Sequence, residues 1–459
     1  MKEPGYVVLY NPISNEGHLD SWHVLFVRLL LAAGQPVIAM TTDPEGIVRK
    51  LAAQGIRPGQ NLLIVRTAWA TSSVSDRRLV ARLRGIWVDQ NAHWHALRFQ
   101  RNWRLREPDR LAGRIAAWLH IHTSFCLAGA AKLLHKGYRR ARGRAKNATS
   151  PAPYLLSPNE FRDQVNAVIA SHPGQIACVL NMYIDAYRTD AHSWREFGFD
   201  EGVPWSALYI TAPDEPTHAY CALASCCGTL LLDEAIAARY RTTLPGKRVA
   251  CLPDIADTSL PESPSPLSLR IARAAAGRKI VFMGGSIGKQ KNLERWYELI
   301  ARADPHKWFF VQIGRINWHN LTPRDAAALE QTVKSLPANL YIEPTYLPDE
   351  RSFNEIIAMS AVIFAVYRDF FRSSNMLSKA AYFEKPILVA SDCLMGDRVR
   401  RYGIGMAVGA DDTLAMVEAL ETIEGLEGLK SSFQRYRDEI SEAVMQQTLT
   451  SFLKQCIAN

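Results

Sequence analysis

The sequence lacks both a run of apolar residues long enough to cross a membrane and the layout of a signal peptide. A spanning helix needs about 20 apolar residues, whereas the mostly apolar stretch at residues 115–131 has only 17 and contains two histidines. The N-terminus, "MKEPGYVVLYNP", has no long apolar run, and its short apolar stretch already predicts a buried strand. These absences predict a chain that does not span the membrane and carries no secretion signal.

The cysteines follow no functional spacing. There are eight of them, and Cys226 and Cys227 are adjacent, which suits neither a structural disulfide nor a CxxC redox pair. A reduced, cytoplasmic compartment is the simplest inference. The histidines show no zinc spacing, and no DxD-like motif occurs in a loop context. We therefore expect neither a metal ion nor a cofactor.

The net charge of +9 is concentrated locally. Residues 132–146 carry seven Lys or Arg residues and no acid, directly after the apolar stretch. Such a segment is typical of an interfacial helix that contacts an anionic membrane, here the inner face of the cell membrane. A buried helix followed by a solvated basic loop explains the pattern equally well. Nucleic-acid binding is disfavoured because no recognition module accompanies the charge.

Apolar runs that predict strands alternate with helical stretches along the chain. The chain is too long for one ordinary hydrophobic core, so two or more domains are expected. A strand at Tyr6–Tyr10, a loop, a helix that stops at Gly34 and a strand in "QPVIAMTT" form a βαβ unit. The pattern predicts an α/β fold with two Rossmann-like, doubly wound domains that face a cleft. The predicted parts are an N-terminal domain over 1–256 with a basic helical insertion near 75–150, a Pro/Ser-rich linker over 257–277, a C-terminal domain over 278–430, and a helix over 431–459 that crosses back.

One segment carries a family resemblance. Residues 372–405, "RSSNMLSKAAYFEKPILVASDCLMGDRVRRYGIG", read as a polar cluster, an amphipathic helix, a Lys385-Pro386 break and a buried strand. This order resembles the donor-side signature "EAMACGKPVIASD" of GT-B glycosyltransferases of the family-4 type. The segment "LDEAIAARYRTTLPGKRVACLPDIAD" resembles the connector before the donor domain of that superfamily. The resemblance covers residues 228–430 and, in the first domain, only the opening βαβ unit.

The resemblance implies a nucleotide-sugar site on the C-terminal domain. "GGSIGKQKN" resembles the family's phosphate-binding turn, and "PTYLP" resembles the loop that reads the nucleobase. A helix start with Ser and Asn caps suits a diphosphate, because its free N–H groups and dipole favour anions. Each cationic or aromatic candidate could instead be an ordinary surface residue. The expected donor-binding residues are Gly284, Gly285, Lys289, Lys291, Arg315, Tyr346, Arg372, Ser373, Ser374, Asn375 and Lys379.

The acid residues of the family are missing. Retaining members carry two glutamates eight positions apart, whereas Phe371 and Lys379 stand at those positions here. Ribose recognition by a carboxylate is therefore lost or moved. The stereochemistry of transfer cannot be inherited from the family.

The acceptor side of the cleft offers a base. An inverting transfer needs one group to remove the proton of the acceptor hydroxyl, and His or Asp is suited to this near neutral pH. The first βα loop, "SNEGHLD", contains Asn15 and Gly17 and supplies His18 and Asp20. Asp185, at the end of the strand "NMYID", is the second source of a base. Each of them could equally be structural.

The sequence thus predicts a glycosyltransferase that moves a sugar from a nucleotide-diphosphate sugar to a saccharide or lipid-linked saccharide of an envelope or exported polysaccharide. A nucleotide-sugar epimerase of the same fold and a non-catalytic sugar-nucleotide-binding scaffold remain open. A dinucleotide dehydrogenase is disfavoured because "NPISNEGHLD" lacks GxGxxG. The sequence does not identify the sugar, the nucleotide, the acceptor or the oligomeric state.

Overall fold

Two parallel β-sheets organise the protein. A computed structural model describes residues 5–13, 18–67, 95–96, 98–99, 156–347, 349–426 and 428–458. Nearly all of the predicted insertion, with the basic segment 132–146, lies outside these residues, as do Asn15 and Gly17. Within the described ranges, no helix combines the length and apolar character that a membrane crossing requires.

The first compact unit contains the described residues up to 67, residues 156–255 and the C-terminal residues from 438 onward. Its seven strands are all parallel, in the order β3-β2-β1-β4-β5-β6-β7. They are β1 (Tyr6–Tyr10), β2 (Val37–Thr41), β3 (Leu62–Arg66), β4 (Ile176–Asn181), β5 (Trp205–Leu208), β6 (Cys226–Leu231) and β7 (Arg248–Cys251). Its helices include α1 (His18–Ala32), α2 (Pro44–Ala52), α3 (Pro158–Ser171) and α4 (Glu234–Thr243).

Both faces of this sheet are buried, which is typical of parallel sheets. Alternate residues of β1 belong to two separate hydrophobic clusters. Val8 and Tyr10 pack with Phe161 of α3 on one face, and Val7 and Leu9 pack with Phe26 of α1 on the other. The period of two in a strand therefore places the helices on both sides of the sheet.

The second unit contains residues 256–437 together with the described residues at 95–99. Its six strands are parallel, in the order β10-β9-β8-β11-β12-β13. They are β8 (Lys279–Gly284), β9 (Trp308–Ile313), β10 (Leu340–Glu343), β11 (Val362–Ala365), β12 (Ile387–Ala390) and β13 (Gly405–Val408). The helices are α5 (Pro266–Ala275), α6 (Leu293–Arg302), α7 (Pro323–Lys334), α8 (Glu350–Met359), α9 (Asn375–Tyr382), α10 (Leu394–Tyr402), α11 (Thr413–Thr422) and α12 (Leu429–Glu439), which ends in the first unit.

Two predicted segments look different in the structure. The linker expected over 257–277 contains helix α5, because Ser265 caps it and Pro266 suits its first turn. The single helix expected over 431–459 is instead two helices, α12 and α13 (Glu442–Ile457), and α13 packs on α1, β4 and β7 of the first unit. There Met445 and Leu449 are fully buried.

The strand order defines where each sheet changes direction of winding. In the second sheet this point lies between β8 and β11, whose neighbouring strands run outward on opposite sides. Ligands of open α/β sheets bind beyond the carboxyl ends of the strands at such a point. A ligand site is therefore expected at the loops that follow β8 and β11.

Candidate functional site

Two glycines let the loop after β8 pass close to its neighbours. Gly285 has a φ of +99° and Gly314, just after β9, has a φ of +142°, a region that residues with a Cβ rarely adopt. A Cβ on Gly314 would lie 1.7 Å from the carbonyl oxygen of Gly285. The two loops therefore touch through backbone alone, at the carboxyl ends of β8 and β9.

Lys291 joins the loops at the switch point. Its Nζ donates to the Gly284 carbonyl at 2.7 Å and to the Tyr367 hydroxyl at 2.7 Å, and it lies 4.1 Å from the centre of the Tyr367 ring. Tyr367 belongs to the loop after β11. Among the described residues, Nζ has no third acceptor, so one N–H remains for a ligand. The amine is held in place and is only partly buried.

Asn292 fixes the end of this loop. Its backbone is left-handed, with a φ of +55°, and its side chain is fully buried. The amide donates to the carbonyls of Val366 and Ala410, and its oxygen accepts from Arg368 at 2.6 Å. Arg368 also lies near Glu294 and Asp325, so its charge is already balanced. These contacts fix the residue next to Lys291 and so position Lys291 itself, and no sequence motif predicts them.

Helix α9 begins in the loop that carries Tyr367. Ser374 caps it, with Oγ accepting from the Met376 amide at 3.3 Å. Arg398 of α10, which is nearly buried, donates to the Ser373 hydroxyl at 2.6 Å. The predicted cap is present, and the structure adds a cation that sequence reasoning missed. No spacing signal links Arg398 to Ser373, since 25 residues separate them.

Lys379 does not line an open site, contrary to the prediction. Its side chain is 0% exposed. Nζ donates to the Asp257 carbonyl at 3.0 Å and to the side chains of Glu350 and Asn354. Burial lowers the pKa of Lys379, and the Glu350 carboxylate partly opposes this shift. All three ammonium hydrogens have protein acceptors, so none is left for a phosphate.

The other predicted donor-side residues lie on the surface of the second unit. Their side chains form no hydrogen bond or ion pair with the described part of the chain, and Tyr346 is 64% exposed. Asn375, which is the first residue of α9, is half-buried and likewise has no side-chain partner there. The exposed residues of this group are Lys289, Arg315, Tyr346 and Arg372.

The structure argues against two of the bases predicted in the first unit. Asp185 accepts hydrogen bonds from the amides of Ile210 and Thr211 and from the Thr211 hydroxyl, at 2.6 to 2.9 Å. Its carboxylate therefore holds the loop after β5. Asp20 is 5% exposed and lies 3.5 Å from Lys50 Nζ, so it does not face an open site. His18 begins α1, and its side chain lies outside the described part of the structure.

Two further polar groups at the carboxyl edge of the first sheet were not predicted from the sequence. Asn11 follows β1, is fully buried, and its Nδ2 finds no acceptor within the described residues. His218 bonds through Nδ1 to the Tyr209 hydroxyl just after β5, and burial lowers its pKa. Neither belongs to a motif, and only the strand order brings them to the carboxyl edge. Across the described ranges, no three His, Cys, Asp or Glu side chains come together as metal ligands would.

Comparisons with known proteins agree with this architecture. No protein-family model and no curated protein matches the sequence. Among solved structures, the chain is similar to α,α-trehalose 6-phosphate synthase from Burkholderia multivorans, with a TM-score of 0.59, 13% identity and 99% of each chain covered. It is also similar to a glycosyltransferase from Rickettsia africae, with a TM-score of 0.57, 10% identity and 100% of each chain covered.

A third similar structure is that of HepE from Anabaena, in complex with UDP and glucose, with a TM-score of 0.57 and 8% identity over 98% of this chain and 99% of that one. Identities this low carry information about the fold and not about the activity. The two-domain GT-B fold predicted from the sequence is therefore confirmed.

Proposed function

We propose that the protein is a glycosyltransferase that uses a nucleotide-diphosphate sugar as donor. The observation that carries the proposal is the Lys291 amine, which is held between Gly284 and Tyr367 at the switch point and has one N–H without an acceptor among the described residues. The start of α9 lies in the loop that also holds Tyr367, and it adds the positive end of a helix dipole. Together these groups form an anion site on the second unit.

The chemistry of glycosyl transfer requires such a site. The bond between the anomeric carbon and the diphosphate oxygen breaks, and the nucleoside diphosphate leaves with an added negative charge. Fixed positive groups beside that oxygen stabilise the charge as it develops. An acceptor hydroxyl forms the new bond to the anomeric carbon and loses its proton to a base. Because Lys291 and α9 supply positive charge, we expect transfer to continue in the presence of EDTA.

Support for a nucleotide-sugar donor also comes from the neighbours of this fold, one of which was solved with UDP and glucose. For the acceptor, we propose a saccharide or lipid-linked saccharide of an envelope or exported polysaccharide. That proposal rests on the apolar and basic segment over 115–146. Deleting this segment and fractionating cells tests it, and unchanged membrane association would contradict it.

A thermal-shift screen against UDP, GDP, ADP, dTDP and CMP tests the donor site. We expect one nucleoside diphosphate to raise the melting temperature of the wild type and to have much less effect on Lys291→Ala. Lys430→Ala, an exposed lysine of the same unit, is the matched control and should respond like the wild type. No shift with any nucleotide, or an equal shift in both variants, would contradict the proposal.

A further inference from the structure

We propose that Glu350 is the carboxylate that binds the ribose diol of the donor, and that buried Lys379 holds it in position. This inference rests on the proposed function and adds the residue that recognises the sugar of the nucleotide. It also gives a role to Lys379, which is buried and therefore cannot contact a ligand itself.

The geometry leaves one side of the carboxylate open. Lys379 Nζ bonds to Oε1 of Glu350, and Lys379 is 0% exposed whereas Glu350 is 47% exposed. Oε2 of Glu350 accepts no hydrogen bond from the residues that the structure describes. A carboxylate held on one oxygen and open on the other is suited to accept hydrogen bonds from hydroxyl groups, which charged acceptors bind more strongly than neutral ones do.

The buried partners explain why the pair is fixed. A lysine removed from water is stable in its charged form only when it is paired and fully hydrogen-bonded. Asn354 and the Asp257 carbonyl complete the set of acceptors around Nζ, and Asn354 in turn donates to Asp257 and Ser259. Lys379 therefore cannot follow the carboxylate to another position, and Glu350 gains a defined orientation.

The fold places Glu350 beside the anion site. It is the first residue of α8, which starts at the carboxyl edge of the sheet, as α9 does. One turn further, Phe353 lies 2.7 Å from where a Cβ on Gly284 would be, and its ring centre is 5.5 Å from Lys379 Nζ. Contacts thus run from the glycine loop through Phe353 to the Lys379–Glu350 pair.

The order of the elements favours ribose as the diol. Glu350 is four residues after Tyr346, whose ring is exposed and is the candidate for contact with a base. The anion site, at Lys291 and the start of α9, is linked to α8 through Gly284, which Phe353 approaches and whose carbonyl accepts from Lys291. In a nucleoside diphosphate, the ribose joins the base to the phosphates. Glu350 is four residues from Tyr346 along the chain and is linked through Lys379 and Phe353 to the glycine loop, so we assign the ribose to it.

The experiment compares ribonucleotides with their deoxy analogues. Dissociation constants of UDP, ADP and GDP, and of their 2′-deoxy counterparts, are measured by calorimetry for the wild type and Glu350→Gln. We expect the wild type to bind the preferred ribonucleotide about tenfold or more tightly than its 2′-deoxy form, as loss of a hydrogen bond to a charged group predicts. Glu350→Gln should bind the two forms almost equally.

Two further variants keep the result interpretable. Glu418→Gln removes an exposed charge from the same unit and should retain the wild-type preference. The double variant Glu350→Gln with Lys379→Met removes both partners, so no unpaired charge stays buried, and it should fold and bind without the preference. If Glu350→Gln or the double variant keeps the wild-type preference, the inference is overturned. If the wild type binds no nucleotide at all, the proposed function itself fails, and the two failures are distinguishable.

Discussion

Replacing His23 by leucine should make the protein less sensitive to acid. His23 lies on α1, is 0% exposed, and neither ring nitrogen has a hydrogen-bond partner at good geometry within the described residues. Burial lowers its pKa from 6.5 to about 4, and the nearby backbone of Leu9 offsets only part of that effect. The imidazole is therefore neutral in the folded protein over a pH range in which the unfolded chain takes up a proton.

The sign and size of the effect follow from linkage. Between about pH 4 and pH 6.5 the unfolded state binds more protons than the folded state, so the free energy of unfolding falls as the pH falls. The full difference in pKa corresponds to about 3 kcal/mol, of which about 2 kcal/mol is lost by pH 5. Leucine at position 23 removes this contribution and leaves that of every other group unchanged.

The assay is denaturant unfolding followed by intrinsic fluorescence at about pH 7.5 and about pH 5. The loss of unfolding free energy between the two values should be about 2 kcal/mol smaller in His23→Leu than in the wild type. His306→Leu, which replaces an exposed histidine, should behave like the wild type. An equal loss in His23→Leu and the wild type would refute the reasoning, because it would mean that the buried ring is already protonated or is not buried in solution.

Three further predictions concern the loops. Asn292→Ala should lower the free energy of unfolding by about 2 to 4 kcal/mol, because three buried hydrogen bonds are lost and alanine is strained in the left-handed backbone of this position. A clearly smaller loss in denaturant unfolding would contradict this. Gly314→Ala should be far more damaging than Gly174→Ala, since a Cβ meets the Gly285 carbonyl in the first case and open space in the second; similar melting temperatures would contradict this. Asp185→Asn should cost about 1 to 3 kcal/mol of stability while the rate of sugar transfer by the folded protein stays unchanged, and a large loss of that rate would return Asp185 to the candidate bases.

The sequence predicts the fold well because local patterns determine it. The apolar runs at β1, β8 and β12 are buried strands in the structure, and the Lys385-Pro386 break separates helix from strand as expected. Parallel strands joined by helices then follow from connection rules that hold for most sheets. Most of the fold class could thus be derived from periodicity, glycine and proline alone.

The site was harder to predict, since its contacts join distant residues. Lys379 meets Glu350, which is 29 positions away, and Arg398 meets Ser373, which is 25 positions away. A charged residue in a motif looks exposed until its burial is known, and burial depends on which helices lie side by side. The same holds for Asp185, whose carboxylate is used by a loop 25 residues further along.

The aromatic core of the first unit has a spectroscopic consequence. Trp194 and Trp205 are stacked almost in parallel, with ring centres 5.7 Å apart and an angle of 7° between the planes. Two indoles this close couple their electronic transitions, and where the two transition dipoles are rotated against each other within the stacked planes, the coupling gives a paired positive and negative band in the far-ultraviolet circular dichroism spectrum. Trp296 and Trp308 of the second unit contribute to fluorescence but not to this coupling. The paired band therefore reports the unfolding of one unit alone, and a midpoint that differs from that of the fluorescence would reveal two separate transitions.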